Sequence, residues 1–332
     1  MQRVFPLALI TLTLTLASCG GGTEPTTPPT EPPTEPPTEP AATTGTINGV
    51  RFVDVSTYQF GFTPLKGTDI VGTATLKSVT VKNLSAGAAS ARVCGNVEGQ
   101  DVVTATLSLD STGSMQDTDP GKLRNTAARA FVDRMGPSDK AAILSFDTAT
   151  SPSEDLLASY LWQDFTGDRA LLTKAVDQAT FIGGGTPLYD AMLDASALLK
   201  ASGGRNARGL VLTDGQDTGS FTSPAQVIAA ANKNGTPLYI IGLDAQDTLD
   251  FRDAEDIAAR TGGLFQKATS AGQLQKFFDN VYNAFRAQGC VELKFTQKPA
   301  AGTAVTGQLA ITVGAADRKD SVVEVPFTVD VR

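Results

Sequence analysis

The chain has 332 residues, a net charge of −8 and no histidine. The missing histidine excludes a Ser-His-Asp triad and any His-ligated zinc site, and the acidic balance speaks against nucleic acid, whose binding calls for a basic stripe. Removal of the segment carrying Arg3 takes the charge to −9, and Glu24, Glu31, Glu35 and Glu39 hold four of these charges, leaving about −5 for the folded part.

Arg3 is followed by a largely apolar stretch from Val4 to Leu16. That is shorter than the roughly 20 apolar residues a membrane span needs, and it fits the core of a signal peptide. Leu16-Ala17-Ser18-Cys19 resembles a bacterial lipobox. The resemblance implies cleavage before Cys19 and a lipid on its sulfur, and so a protein of the cell envelope. Gly20 follows the cysteine where Asp would imply retention at the inner membrane, so an outer membrane is expected if the cell has one. From Thr23 to Thr44 the chain repeats Thr-Glu-Pro units, beginning at Thr30, Thr34 and Thr38. Such a composition buries no core and favours extended polyproline II. At ~3.1 Å per residue, residues 25 to 40 would form a solvated stalk of up to ~50 Å.

Between about 100 and 289, strand-like and helix-like segments alternate. Val102 to Asp110 is apolar and β-rich. Leu123 to Met135 has helical spacing, with Leu123, Ala127, Ala130, Phe131 and Met135 on one face. Ala141 to Phe146 reads as a buried strand and Leu157 to Phe165 as an edge strand. Helices are expected at Arg169 to Gln178, Leu188 to Ala201, Ala225 to Lys233, Phe251 to Arg260 and Gln273 to Ala287. The continuous apolar runs Gly209 to Thr213 and Leu238 to Leu243 are typical of the inside of a parallel sheet, and Leu264 to Lys267 reads as a short strand. This alternation predicts an α/β fold with a doubly wound, mainly parallel, Rossmann-like sheet. The flanks instead hold short alternating runs at Thr73 to Val81, Ala91 to Cys94, Val291 to Phe295, Gln308 to Val313 and Val322 to Val331, which read as an all-β sandwich. The expected organisation is a signal peptide at 1–18, a linker at 19–45, a β domain split between 46–96 and 290–332, and an α/β domain at 97–289 inserted in it. With Cys19 lipidated, Cys94 and Cys290 remain beside the two crossings. They are expected to pair, the alternative being two buried free thiols.

In parallel α/β sheets, ligands sit beyond the carboxyl ends of the strands. Three polar clusters are expected there: Asp110-Ser111-Thr112-Gly113-Ser114, Gly183-Gly184-Gly185-Thr186, and Asp214-Gly215. Asp110, Thr112, Ser114, Thr186 and Asp214 would bring two carboxylates and three hydroxyls together, a donor set suited to a hard cation such as Mg²⁺. Taken singly, each cluster has a structural reading: Ser114 and Thr186 as helix caps, Asp214-Gly215 as a turn. Together, the three motifs resemble the metal-ion-dependent adhesion site of von Willebrand factor type A domains. The resemblance covers about residues 100 to 289 and implies that these five residues hold Mg²⁺, or Mn²⁺ or Ca²⁺. It also implies a non-enzymatic domain that binds a protein partner offering an Asp or Glu carboxylate. The family's first hydroxyl is usually Ser, and here it is Thr112. Asp117 falls where some adhesion receptors hold a second metal, but Thr118 replaces the next acidic residue, and Asp117 reads as solvated. The loops Gln116 to Pro120, Gln216 to Ser223 and Asp244 to Asp250 would set specificity.

Two other readings exist. One is an envelope scaffold with a purely structural metal. The other is a Mg²⁺-dependent phosphatase, because Asp110-Ser111-Thr112-Gly113-Ser114 also resembles the phosphoryl-accepting motif of the haloacid dehalogenase superfamily. The stretch Gly183 to Ala191 has no place in that second scheme.

Overall fold

The computed structural model describes residues 38–179 and 182–332. The expected signal peptide, Cys19 and most of the expected Thr/Glu/Pro linker lie outside the described residues.

The strands are β1 (Thr44–Asp54), β2 (Thr57–Lys66), β3 (Asp69–Ile70), β4 (Thr75–Lys82), β5 (Ala88–Gly99), β6 (Thr104–Asp110), β7 (Lys140–Phe146), β8 (Ser159–Thr166), β9 (Ala207–Thr213), β10 (Leu238–Leu243), β11 (Phe265–Ala268), β12 (Ala287–Gln297), β13 (Ala304–Gly314) and β14 (Ser321–Asp330). The helices are α1 (Met115–Thr118), α2 (Leu123–Arg134), α3 (Arg169–Gln178), α4 (Leu188–Ser202), α5 (Pro224–Asn234), α6 (Arg252–Thr261) and α7 (Leu274–Arg286). Among the described residues no helix is long and apolar enough to cross a membrane.

The centre of the molecule is a parallel sheet in the order β11-β10-β9-β6-β7, with β8 antiparallel on the outer edge. Strands buried on both faces explain the continuous apolar runs. On one face, Leu107, Leu109, Leu212 and Ile241 pack against Phe131 of α2, Leu172 of α3 and Phe278 and Phe285 of α7. On the other, Val211 and Ile240 pack against Met192 of α4, Ile228 of α5 and Ile257 of α6. This is the doubly wound arrangement expected from the sequence, with all six long helices in place.

The buried face of α2 differs from the expected one. Leu123 is exposed, and Arg124 and Asn125 turn inward with Ala127, Ala128, Phe131 and Val132. Asp119 causes this rotation. Its carboxylate accepts from the backbone nitrogens of Leu123 (2.7 Å) and Arg124 (3.0 Å) and pairs with the Arg124 guanidinium at 3.2 Å. Burying such a cation is costly, and a paired carboxylate offsets that cost.

The flanks also differ. β5, β12, β2 and β1 lie side by side and continue the central sheet, because β1 pairs antiparallel with β11 at Val50 and Phe265. A second sheet, β14-β13-β4, faces this end. Phe60, Phe62, Val291 and Leu293 from the long sheet share one core with Leu309, Ile311, Val325 and Phe327 from the short one. The two flanks therefore build one core, but one of its layers has no boundary with the α/β part. An uncovered β11 would leave a row of unpaired backbone groups, and β1 covers it. The Cys94–Cys290 disulfide is formed and ties β5 to β12.

The end of the expected linker is not a free stalk. Ala41 and Ala42 are buried in the flank core, and Glu39 pairs with Lys66 and with Arg318 (2.6 Å). The dipeptide Ala41-Ala42 supplies apolar surface that the Thr-Glu-Pro repeats lack.

Asp194 of α4 is a structural pin. It is buried, and its carboxylate accepts from the backbone nitrogens of Leu157 (2.8 Å), Ala158 (2.9 Å) and Ser159 (2.9 Å) at the start of β8. Burial raises its pKa above the usual carboxylate value, against these hydrogen bonds. Asp194→Ala strands these donors and is expected to cost about 2–4 kcal/mol, each buried unsatisfied group costing ~1–3 kcal/mol. Urea denaturation checks this, and a loss under ~0.5 kcal/mol, the range of neutral surface changes, would contradict it.

Candidate metal centre

Parallel strands β6 and β9 are neighbours, so their carboxyl ends deliver Asp110 and Asp214 to the same edge. Asp110 is fully buried and Asp214 is 4 % exposed. Burial of a carboxylate in an apolar sheet is costly, and hydrogen bonds offset part of that cost. Asp110 Oδ1 accepts from the Thr112 backbone nitrogen (2.9 Å) and from Thr112 Oγ1 (2.6 Å), and Asp110 Oδ2 accepts from Thr213 Oγ1 (2.8 Å). Asp214 Oδ1 accepts from Ser114 Oγ at 2.7 Å, and Asp214 Oδ2 accepts from Thr118 Oγ1. Thr112 Oγ1 and Ser114 Oγ lie 3.1 Å apart.

The third loop closes over the first. Gly113 N donates to Gly184 O (3.4 Å), and Ile182 N and Gly183 N donate to Ser111 O. Gly184 has φ +78°, and a Cβ there would stand 2.6 Å from Thr148 Oγ1 and 2.8 Å from Ala149 N, so only glycine permits this approach. Thr186 is then held at both ends of its peptide. Its nitrogen donates to Thr218 Oγ1, and its carbonyl accepts from Thr218 N, each at 2.9 Å. Its hydroxyl faces Gly215, where an added Cβ would lie 3.1 Å from Oγ1.

The chain does bend at Asp214-Gly215, but neither helix-cap reading is realised. Ser114 precedes α1, but its hydroxyl makes no cap and turns to Asp214 instead. No side chain caps α4, which begins after Pro187. All five expected residues are thus brought to one strand edge. Asp117 is exposed and stands outside the cluster.

Thr118, Thr213, Thr218 and Arg124 were not foreseen. Thr213 could have been found, since it precedes Asp214 at the end of an apolar strand. Arg124 could not, because its place depends on Asp119 turning α2.

The electrostatics fit a cation. Burial, and then the neighbouring Asp214 charge, push the Asp110 carboxyl up to about 6. Burial also raises Asp214, against hydrogen bonds from Thr118 and Ser114 and the nearby charge of Arg124. Two buried carboxylates that disfavour each other's charge are relieved by a divalent ion. Among the described residues no group of three His, Cys, Asp or Glu side chains could hold a metal. The candidate donors are instead two carboxylates and three hydroxyls, all oxygen, and suit a hard cation.

No curated protein sequence matches the chain. Among solved structures, proximal thread matrix protein 1 from the mussel byssus, with a zinc-occupied MIDAS motif, is 21% identical, with 64% of this chain and 50% of that one covered and a TM-score of 0.47. A von Willebrand factor type A protein from Catenulispora acidiphila is 12% identical, covering 77% and 75%, with a TM-score of 0.47. The vWF domain of the type V pili tip protein Mfa5 from Porphyromonas gingivalis is 14% identical, covering 54% and 93%, with a TM-score of 0.43. The chain spans about half the length of the mussel protein. The von Willebrand factor type A domain profile matches residues 106–280, more than half of the sequence and the whole stretch from β6 into α7 that carries the candidate centre. By that match the chain belongs to the von Willebrand factor type A family.

Proposed function

We propose that this is a lipid-anchored cell-envelope protein that grips a protein partner through a divalent cation held by Asp110, Thr112, Ser114, Thr186 and Asp214. The observation that carries this reading is the convergence of three loops distant in sequence, with Ser114 Oγ 2.7 Å from Asp214 Oδ1 across 100 residues. The anchor is Cys19, on the lipobox-like residues before it, and the membrane is the outer one where the cell has two. The cation is Mg²⁺, with Mn²⁺ and Ca²⁺ as further candidates. When bound, it supplies an electrophilic position for a carboxylate of the partner. Asp110 and Asp214 supply the charge, Thr112 and Ser114 supply oxygens from one turn, and the glycine-rich loop presents the Thr186 hydroxyl.

The test is crosslinking on intact cells with and without chelator. The same product should form in buffer with Mg²⁺ and be lost with chelator and in Asp214→Ala. A product indifferent to both would instead support an envelope scaffold with a structural metal. Mg²⁺-dependent hydrolysis of p-nitrophenyl phosphate that disappears in Asp110→Asn would overturn the non-enzymatic reading.

The rim beside the site is acidic. A recess of about 440 Å³ next to Gly215 is lined by Tyr189, Asp217, Asp250, Arg252 and Asp253; Arg252 pairs with Asp250, and Asp217 and Asp253 leave the recess net negative. A partner with a basic residue beside its liganding carboxylate fits such a rim. Asp217→Lys is therefore expected to lower the crosslinked yield several-fold, and a higher yield would contradict the charge argument.

A further inference from the structure

The loop between β9 and α5 carries a phenylalanine that no internal contact explains. Phe221 is 101 % exposed, the most solvated large apolar side chain among the described residues. Single exposed apolar residues are ordinary, but two features set this one apart.

The first is the rigidity of its backbone. Phe221 N donates to Asp190 Oδ2 at 2.9 Å and Thr222 N to Asp190 Oδ1 at 3.0 Å. Asp190 is itself buried in the first turn of α4. Ser220 Oγ accepts from the backbone nitrogens of Tyr189 and Asp190, each at 3.0 Å. Ser223 and Gln226 then close a capping box at the start of α5. These bonds account for Asp190, Ser220 and Ser223 as loop builders. They use only the backbone of residue 221, so any polar residue there would serve the loop equally well.

The second is position. The same loop is bound to Thr186 through Thr218, in both directions at 2.9 Å. Phe221 lies three positions after Thr218, so their backbones are at most ~11 Å apart. On the facing loop, Ile182 is also exposed, with its nitrogen bound to Ser111 O at 2.7 Å. An aromatic ring on a pre-ordered backbone offers large contact area at small entropic cost, the character of an interface hot spot.

We infer that Phe221 is the apolar anchor of the metal-dependent contact. The partner is then a protein segment presenting an Asp or Glu to the centre and an apolar side chain two to four residues away, which covers the Phe221 ring. This inference rests on the adhesion reading above and adds a second determinant to it.

The test uses a phage-displayed peptide library with one fixed Asp and randomised flanking positions, panned on the folded protein in Mg²⁺. Wild type should enrich apolar residues within a few positions of the Asp. Phe221→Ser should lower retention of those peptides about tenfold and abolish the apolar preference. The need for Asp and Mg²⁺ should survive in that variant, and the thermal midpoint should not change. Val55→Ser, at an exposed site in the β1–β2 turn, should change nothing. Identical selection by wild type and Phe221→Ser overturns this inference and leaves the metal reading intact. Absence of any metal-dependent, Asp-dependent retention overturns both. Self-association of wild type that is lost in Phe221→Ser would replace the peptide partner with a second copy of the chain.

Discussion

Asp214→Ala is expected to abolish divalent-cation binding, so that titration calorimetry with Mg²⁺ or Mn²⁺ gives a one-site isotherm for wild type and no saturable heat for the variant. The substitution removes one of two charged donors and leaves the Ser114 and Thr118 hydroxyls without their acceptor. Stability should follow. A ligand at a hundredfold excess over its Kd adds about 2.7 kcal/mol to a native state that alone binds it, so Mg²⁺ should raise the melting point of wild type and not of the variant. In chelator the order should change. Asp214→Asn removes a like charge beside buried Asp110 and keeps much of the hydrogen bonding, so the metal-free variant should be at least as stable as wild type. Saturable, stoichiometric binding by Asp214→Ala would sink the assignment of the centre.

The pH dependence of the same site has a defined sign. Burial and the neighbouring Asp214 charge hold Asp110 at about 6 in the folded chain, above the ordinary aspartate value of 3.8. Between those values the native state holds a proton that the unfolded chain has released, so its contribution to stability falls as pH rises. In chelator, wild type should therefore lose stability relative to Asp110→Asn as pH climbs through this window. With cation present the trend reverses, because proton and metal compete for one carboxylate. Cation affinity should rise as pH passes through about 6.

Removal of the Cys94–Cys290 bridge carries the second large effect. The bridge spans 196 residues of sequence with its Cα atoms 4.9 Å apart, and it encloses the entire α/β segment. A loop of that length corresponds to ~5 kcal/mol in the chain-entropy model, and measured losses of native disulfides run about 2–5 kcal/mol. The double variant Cys94→Ala, Cys290→Ala should lower the urea midpoint accordingly. It should still bind cation while folded, since neither cysteine contributes to the strand edge that carries Asp110 and Asp214. Equal midpoints for the two proteins would refute a stabilising role.

Much of this architecture was legible in the sequence, for reasons that differ by element. β6, β7, β9 and β10 announced themselves because a strand covered by helices on both faces must be apolar throughout. Asp110, Thr112, Ser114 and Asp214 were legible because they end or directly follow β6 and β9, and parallel strands place their carboxyl ends together; Thr186, between α3 and α4, was legible from its glycine-rich loop. The β1–β2 hairpin was not foreseen. Gly49 and Gly61 interrupt its pattern, yet both are demanded by packing. Added Cβ atoms would stand 2.9 Å from Leu264 Cβ at Gly49 and 2.6 Å from Leu264 Cδ1 at Gly61. The continuity of the flank with the central sheet was hidden for a similar reason, since β1 meets β11 at one register pair, Val50 with Phe265.

The opening expectation of a five-oxygen site therefore divides in two. Residue chemistry belonged to the sequence alone: two carboxylates, three hydroxyls and glycines where a loop must approach closely, with no thiolate or imidazole among them. The tertiary structure decided what those groups do. Ser114, free to cap α1, turned to Asp214, and Thr186, free to cap α4, faces Gly215 instead. Burial made two ordinary aspartates reluctant to be charged together. Each outcome depends on segments far apart in the chain being held within hydrogen-bonding distance, and that distance is set by the packing of strands and helices between them.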